Sequence, residues 1–345
     1  ENNTQIKYLE SELIIQARKI TLAMKASLSG QFNVSNIKIL EHAKPIRKPA
    51  GPNRKNQILK QTAMGLALSL MLAIFIDSLD RSVKTDEDLQ SISELPLLGQ
   101  IPERISKAKS TNESDAERFI HLKDDPVIED AFTALRTALI FSMPQGLNKR
   151  IMITSSIPGE GKSTVSHLLA HSLAKVGEKV LYIELDLRRP SLNKYLPEMN
   201  AHKAGMSELL VGQATLEEVT VQSTLHQNLK VIPAGSKSPN PTILFNSPNF
   251  DELFETVEKL YDRIIIDTPP AFNIPDAIQI SQKIHGLVFV VGSGKVHKKI
   301  VEKTLNKFRF VQSIIFGTIL NQVTLKTSSY YDKYRYENYG RDTKD

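Results

Sequence analysis

The feature that most constrains the fold is the stretch at 154–164, which reads Thr-Ser-Ser-Ile-Pro-Gly-Glu-Gly-Lys-Ser-Thr. A short, mostly apolar run at 150–153 precedes it, and a helical pattern at 165–174 follows it. A strand, a glycine-rich turn and a helix N-terminus together bind phosphate, because backbone N–H groups turn inward and the helix dipole adds partial positive charge. The stretch therefore predicts a phosphate-binding loop.

The side chains and amides of this loop are candidate contacts to a nucleotide. Lys162 would reach the β- and γ-phosphates, and the Ser163 hydroxyl would ligate Mg²⁺, so ATP and Mg²⁺ are the expected cofactors. The standard motif has a glycine where this chain has Ser156. The candidate contacts are Ser156, Pro158, Gly159, Glu160, Gly161, Lys162, Ser163 and Thr164.

Composition excludes several other kinds of site. The 345 residues carry a net charge of +6, a mild excess that suits a membrane surface or an acidic partner and does not by itself indicate nucleic acid. The chain has no cysteine, which excludes disulfides, thiolate metal sites and iron–sulfur clusters.

The first 80 residues contain two helical patterns separated by a linker. Apolar residues recur every three or four positions at 8–29, which predicts an amphipathic helix, possible as one arm of a coiled coil. Pro45, Pro49 and Pro52 then mark a linker. Residues 58–79 include 16 consecutive uncharged residues and predict a transmembrane helix, with a buried core helix as the alternative.

The charges that flank this span conflict with the position of the nucleotide site. Basic residues precede it and mostly acidic residues follow it, which by itself would put the N-terminal side in the cytoplasm. A site for ATP requires the opposite orientation. We expect the downstream part to face the cytoplasm, with further spans upstream of a fragment fixing the topology.

From residue 150 onward, continuous apolar runs alternate with helical segments, which predicts an α/β fold with a parallel sheet covered by helices on both faces. Ligands in such folds bind at the carboxyl ends of the strands. Upstream, the pattern predicts a short capped helix at 85–93, an extended apolar segment at 95–102, a flexible linker at 103–125 and a helix at 127–143.

Acidic residues end two of the predicted strands. Asp267 closes the run at 263–267 and could hold Mg²⁺, although it could also cap the next turn. Glu184 and Asp186 end the run that begins at residue 180, and alternation puts both on one face, where either could accept a hydroxyl proton or order the metal's waters. A solvated strand end is the alternative for this pair.

The C-terminal segment is rich in tyrosine and lacks the aliphatic residues of a core, so we expect it to be disordered. Exposed tyrosines beside acidic residues suit phosphoacceptors. Stacking on nucleic-acid bases is the alternative, but the acidic residues of the segment disfavour it. The candidate phosphoacceptors are Tyr330, Tyr331, Tyr334, Tyr336 and Tyr339.

With these motifs in place, the chain resembles the bacterial tyrosine kinases of polysaccharide export from about residue 37 onward. The segments at 155–163, 182–190 and 264–270 resemble the Walker A, Walker A′ and Walker B motifs of that family. The segments at 231–241 and 317–321 and the tyrosine-rich tail also fit. The resemblance adds Arg188 to the candidate catalytic residues, beside Lys162, Glu184, Asp186 and Asp267, and adds Asn321 to the nucleotide contacts. Ser163, Asp186 and Asp267 become the candidate metal ligands.

The resemblance implies a protein-tyrosine kinase of the bacterial inner membrane, in which the subunits of a ring-like homo-oligomer phosphorylate each other's tails. Its implied partners are the polysaccharide polymerisation and export machinery, a cognate tyrosine phosphatase and membrane lipid, with no nucleic acid. The implied parts are an extracytoplasmic co-polymerase segment at 1–57, a transmembrane helix at 58–79, a cytoplasmic linker at 80–125, a kinase domain at 126–325 and an acceptor tail at 326–345.

Two departures from the family pattern bear on this interpretation. The family usually has Asp at the position of Glu184, which leaves the general base open between Glu184 and Asp186. The interface helix usually reads Glu-x-x-Arg-x-x-Arg, whereas the aligned residues here are Asp130, Thr133 and Arg136, so ring assembly is expected to be weaker or to use other contacts.

Two other functions fit parts of the sequence. A partitioning-type P-loop ATPase would carry a signature lysine five residues before Lys162, where this chain has Ile157. A structural co-polymerase with a degenerate kinase is disfavoured by the intact Lys162, Ser163 and Asp267, but the departures at Glu184 and Thr133 leave it open.

Overall fold

The computed structural model describes residues 2–26, 54–103, 115–146, 149–196, 199 and 204–324. These residues fall into two units, at 1–75 and 76–345. The predicted proline-rich linker and the tyrosine-rich tail lie outside the described residues.

The first unit contains helix α1 (Asn2–Ala26) and most of helix α2 (Arg54–Leu79). Residues 54–75 have a mean hydropathy of 1.7, and none of the described residues buries this segment. Its 22 residues span about 33 Å as a helix, enough for a hydrocarbon core of about 30 Å. Length and composition therefore allow α2 to cross a membrane, and the alternative of a buried core helix finds no packing partner among the described residues.

The second unit is built on one eight-stranded sheet. Its strands in chain order are β1 (Leu97–Pro102), β2 (Arg150–Ser155), β3 (Val180–Glu184), β4 (Val221–Gln222), β5 (Leu229–Ile232), β6 (Arg263–Asp267), β7 (Gly286–Gly292) and β8 (Ile315–Val323). The strands lie in the order β1-β8-β7-β2-β6-β3-β5-β4, and every pair is parallel except β4 with β5. The predicted parallel sheet is confirmed.

Helices cover both faces of this sheet, as predicted. One face carries α4 (Asp115–Lys123), α5 (Pro126–Ser142), α6 (Lys162–Lys175) and α7 (Leu192–Tyr195). The other face carries α3 (Asp86–Ser93), α8 (Met206–Leu210), α9 (Leu216–Val219), α10 (Pro241–Phe245), α11 (Pro248–Leu260), α12 (Asp276–Ile280) and α13 (Lys298–Phe310). Central strands buried on both faces explain why their sequences read as continuous apolar runs.

Much of the segment named as a cytoplasmic linker at 80–125 belongs to the second unit, including the predicted capped helix, which is α3, and the predicted extended segment, which contains β1. Strand β1 pairs with β8 at the edge of the sheet, and α4, which contacts α5 and α7, buries Ala116 and Phe119. These two apolar residues lie one helical turn apart within a polar segment, so their pattern is too short to stand out in the sequence.

Val83, upstream of α3, lies against the turn that follows β7 at the carboxyl edge of the sheet. The Val83 N–H donates to the carbonyl of Val296 at 2.9 Å, and the Gly294 N–H donates to the carbonyl of Val83 at 2.7 Å. Thr85 then caps α3 through a capping box with Asp88. The turn between β7 and α13 is therefore hydrogen-bonded to Val83.

Candidate nucleotide site at the carboxyl edge of the sheet

The glycine loop joins β2 directly to α6 at the edge where the parallel strands end. Gly159 and Gly161 have φ angles of 89° and 87°, in the left-handed region that favours glycine. A Cβ atom on Gly161 would lie 2.1 Å from Nδ2 of Asn321, so this position also requires close approach. Pro158 and Gly159 form the exposed tip of the loop, whereas the Ser156 hydroxyl is buried without a hydrogen-bond partner among the described residues.

Asn321, near the end of β8, is hydrogen-bonded to the phosphate loop. Its Nδ2 donates to the carbonyl of Glu160 at 2.8 Å, and its side chain is buried. Asn321, predicted as a nucleotide contact, therefore forms a hydrogen bond to the phosphate loop itself.

Lys162 lies between two acidic residues from neighbouring elements. Its Nζ is 3.6 Å from Oδ2 of Asp186 and 3.8 Å from Oδ1 of Asp267. It also donates to the Ser163 hydroxyl at 3.1 Å. Burial lowers the pKa of Lys162, but Asp267 and Asp186 outweigh it, and the pKa is raised. Lys162 is therefore a fixed ammonium at the point where phosphate oxygens would enter.

Asp267 has the properties expected of a carboxylate with a partner that is not protein. It is fully buried, yet neither of its oxygens accepts a hydrogen bond from the described residues. Buried carboxylates without donors are costly and uncommon.

Oxygen donors around Asp267 suit a hard cation. Asp267, Asp186 and the Ser163 hydroxyl converge on Lys162, and Mg²⁺ prefers one or two carboxylates together with phosphate oxygens and water. Within the described residues, no group of three or more His, Cys, Asp or Glu side chains could hold a metal unaided. The donor set therefore fits a magnesium ion that shares its ligands with a nucleotide.

Glu184 and Asp186 have different surroundings, although strand alternation predicted that both lie on one face. Oε1 of Glu184 accepts hydrogen bonds from the Ser191 and Leu192 amides at 2.5 and 2.8 Å, and Oε2 accepts one from the Ala234 amide at 3.3 Å. The bonds from Ser191 and Leu192 satisfy amides at the start of α7. Burial raises the pKa of Glu184 to about 7.

Asp186 keeps one oxygen directed at Lys162. Its Oδ1 accepts a hydrogen bond from the Arg189 amide at 3.0 Å, while Oδ2 is the atom nearest the ammonium. Burial raises the pKa of Asp186, and the charge of Lys162 opposes the rise. Of the two acids, Asp186 is the one with an oxygen available to a substrate.

Arg188, a candidate catalytic residue, is held by a residue that the sequence analysis did not identify. Its guanidinium makes a bidentate ion pair with Asp276, at 2.6 Å from Oδ2 and 2.9 Å to Oδ1. Asp276 is buried at the first position of α12. The pair ties the segment after β3 to the segment after β6, and an aspartate at a helix start gives no sequence signal of such a role.

A cavity of ≈ 290 Å³ lies beside the loop and is lined by residues that include Gly161, Thr164, Phe119 and Asn321. The ring of Phe119 meets those of Tyr195 and His167 edge-on at 5.4 and 5.8 Å. The Thr164 hydroxyl lies 3.4 Å from the Tyr195 hydroxyl. This aromatic wall was not predicted from the sequence, because Phe119 lies in the segment predicted as a linker.

The residues aligned with the family's interface motif lie on α5. Asp130 and Thr133 are exposed. Arg136, however, donates to the carbonyl and hydroxyl of Ser172 at 2.8 and 2.9 Å, within the same chain. The five candidate phosphoacceptor tyrosines lie outside the described residues.

Proteins with a glycine loop of this kind at the carboxyl edge of a parallel sheet bind nucleotide phosphates. Fold and site together thus define a P-loop nucleotide-binding protein. A family model described as an AAA domain matches residues 148–313.

Relatives narrow this class further. The chain is 37% identical over 213 residues to the tyrosine-protein kinase CpsD of Streptococcus agalactiae, covering 62% of this chain and 90% of that protein. It is 29% identical over 301 residues to the tyrosine-protein kinase ptk of Acinetobacter johnsonii, covering 86% of this chain and 41% of that protein. The solved kinase domain of the Escherichia coli tyrosine kinase ETK matches with a TM-score of 0.65 at 28% identity, over 72% of this chain and 98% of that chain.

The chain belongs to the family of bacterial tyrosine-protein kinases, as its motifs predicted. It spans about two-fifths of the length of the ptk relative.

Proposed function

We propose that this chain transfers the γ-phosphoryl group of ATP to tyrosine hydroxyls of neighbouring copies of itself. The observation that carries the proposal is the position of Lys162, whose Nζ lies 3.6 Å from Asp186 and 3.8 Å from Asp267. Phosphoryl transfer needs little covalent chemistry from a protein, and depends on positioning and on fixed charge around the transferred group. This arrangement supplies both.

Each residue of the site has a distinct task in this proposal. Lys162 and the loop amides stabilise charge on the β- and γ-phosphates, and Asn321 keeps the loop closed. Ser163 and Asp267 would hold Mg²⁺, which when bound would neutralise phosphate charge, whereas Asp186 is assigned to the tyrosine hydroxyl. Thr164 and the wall of Phe119 contain the remainder of the nucleotide.

Asp186 is the proposed base. The bond between the tyrosine oxygen and the γ-phosphorus forms as the bond to the β-phosphate oxygen breaks, ADP leaves, and the phenolic proton passes to Asp186. Glu184 is less suited to this step because both of its oxygens already accept backbone hydrogen bonds. Arg188 acts through Asp276 to position the Asp186 segment.

The wider assignments rest on the family resemblance and on composition. The proposed acceptors are Tyr330, Tyr331, Tyr334, Tyr336 and Tyr339, phosphorylated in trans within a ring. Helix α2 spans the inner membrane, and the kinase unit faces the cytoplasm. Phosphorylation regulates the polymerisation or export of an extracellular polysaccharide and is reversed by a cognate phosphatase.

Purified protein incubated with Mg·ATP should gain phosphotyrosine, and Lys162→Met should abolish the signal on an anti-phosphotyrosine blot. Lys303→Met removes an exposed lysine of α13 and serves as the matched control. Labelling that is unchanged in Lys162→Met would falsify the role of the loop. Labelling that persists after Tyr→Phe at all five tail positions would refute the acceptor assignment.

Transfer between copies has its own test. An active protein that lacks residues 326–345 should phosphorylate full-length Lys162→Met protein. Absence of labelling in this mixture, with wild-type protein active alone, would mean that transfer occurs only within one chain.

A further inference from the structure

Glu160 is the one carboxylate inside the phosphate loop itself. Its side chain is fully buried. Oε2 accepts a hydrogen bond from the Ile157 amide at 2.7 Å, three residues back in the same loop, and Oε1 accepts one from the Gly292 amide at 3.1 Å. One side chain therefore closes the loop on itself and ties it to the end of a neighbouring strand.

Gly292 is the last residue of β7, which pairs directly with β2, the strand that enters the loop. A Cβ atom on Gly292 would lie 3.2 Å from the Cα atom of Glu160, so the loop and the strand end are in close contact. Lys295 in the following turn adds a second link, since its Nζ donates to the carbonyl of Gly159 at 3.0 Å. The same turn binds Val83 on its other side.

The two amides that Glu160 binds are both directed into protein. Without the carboxylate, the buried Gly292 N–H and the half-buried Ile157 N–H would lose their acceptor, which the loop can relieve by changing conformation. When a loop samples several conformations, its apparent affinity for phosphate is reduced in proportion to the fraction of molecules in the binding-competent conformation.

We infer that Glu160 is a positioning residue, which holds the phosphate loop in its binding conformation before a nucleotide enters. Its carboxylate binds the Ile157 amide of the loop and the Gly292 amide of β7, and the remaining loop amides stay available to phosphate oxygens. The inference deepens the proposed function, since it concerns the same site. It requires only that the loop binds a nucleotide, whether or not tyrosine is the acceptor.

Glu160→Gln and Glu160→Ala test the inference in a graded way. A glutamine oxygen can accept one of the two hydrogen bonds, but its amino group faces the other N–H, whereas alanine removes both acceptors. Glu302→Gln makes the same change at an exposed glutamate of α13 and is the matched control.

Two measurements on nucleotide-free and ADP-bound protein need no kinase activity. Exchange of the Ile157 and Gly292 amides, followed by NMR, should accelerate about tenfold or more in Glu160→Gln, and further in Glu160→Ala. The Kd for Mg·ADP should rise about tenfold in Glu160→Gln, and Glu302→Gln should match wild type in both. Exchange and Kd that are unchanged in both Glu160 variants would overturn the inference.

Kinetics separate positioning from a general loss of structure. The KM for ATP should rise in Glu160→Gln while kcat at saturating ATP stays within about twofold, because bound nucleotide restores the loop. A fall in kcat with an unchanged KM would contradict a positioning role. If Glu160→Ala does not fold, wild-type exchange still decides: Ile157 and Gly292 amides that exchange as freely as unprotected ones would rule out the proposed hydrogen bonds.

Discussion

Replacing Asp267 with asparagine is expected to stabilise the nucleotide-free protein and to remove the magnesium-dependent part of its stabilisation by Mg·ADP. Asp267 is fully buried, and neither oxygen accepts a hydrogen bond from the described residues. Burial, together with the charge of Asp267, raises the pKa of Glu184 and of Asp186. Asp267, Asp186 and Glu184 thus lie near the single ammonium of Lys162. Removing the charge of Asp267 reduces the electrostatic repulsion on the other two carboxylates.

The size of the effect follows from the contacts that remain. A buried polar group without hydrogen-bond partners costs about 1–3 kcal/mol, and a charged one costs more, so the unpaired amide of asparagine should cost less than the unpaired carboxylate. Asparagine keeps the shape but loses the 3.8 Å attraction to Lys162, which offsets part of the gain. Lys162 retains Asp186 at 3.6 Å, so its ammonium is not left unpaired. A net gain of about 1 kcal/mol corresponds to a rise in Tm of roughly 2–4 °C for a domain of this size.

Thermal unfolding with and without Mg·ADP measures both halves of this prediction. A ligand at about 100 times its Kd stabilises the folded state by about 2.7 kcal/mol. We expect wild type to show such a shift, and Asp267→Asn to lose the part that depends on Mg²⁺. Asp251→Asn, which removes an exposed partner of Lys283, is the control. A nucleotide-free variant less stable than wild type, or one with the full magnesium-dependent shift, would refute the reasoning.

Three further predictions concern the surroundings of the site. Arg188→Met should cost about 2 kcal/mol in urea unfolding, because it leaves Asp276 buried without its cation, and the double variant with Asp276→Asn should cost less than the sum of the single changes. Phe119→Ala should lower the free energy of unfolding by about 3 kcal/mol and weaken Mg·ADP binding in calorimetry; unaltered binding would exclude Phe119 from the nucleotide cavity. Because burial raises the pKa of Glu184 to about 7, above its usual 4.5, its contribution to stability should fall as pH rises from about 4.5 to 7 and then level off, and Glu184→Gln should flatten the pH profile of unfolding over that window.

The central strands could be predicted from the sequence because a strand buried on both faces must be apolar along its whole length. The run at 263–267 coincides with β6, and the runs that begin at residues 150 and 180 start where β2 and β3 start. Each of these strands ends where its apolar run meets a polar or glycine residue, so one physical constraint fixes both the element and its boundary.

The edge of the sheet could not be predicted in the same way. Strand β1 has one neighbour, contains Gly99 and ends at Pro102, so it lacks the pattern of a central strand. Its position depends on a contact distant in sequence: the Thr318 N–H donates to the carbonyl of Pro96 at 2.9 Å. Gly317 permits this approach, since a Cβ atom there would lie 2.6 Å from that carbonyl oxygen. The pairing of β1 with β8 cannot be predicted from the local sequence of either strand.

The two acids after β3 show why strand alternation alone does not assign chemistry. Alternation predicts one face for Glu184 and Asp186, and the register of the sheet sets Glu184 opposite Asp267. Yet α7 begins within reach of Glu184, and its free N-terminal amides take one carboxylate oxygen. Asp186, beyond the last ladder position of β3, has only the Arg189 amide and so keeps an oxygen for Lys162. The available acid is thus selected by where the next helix starts, which depends on the folded chain around Ser191 and not on the spacing of the acids.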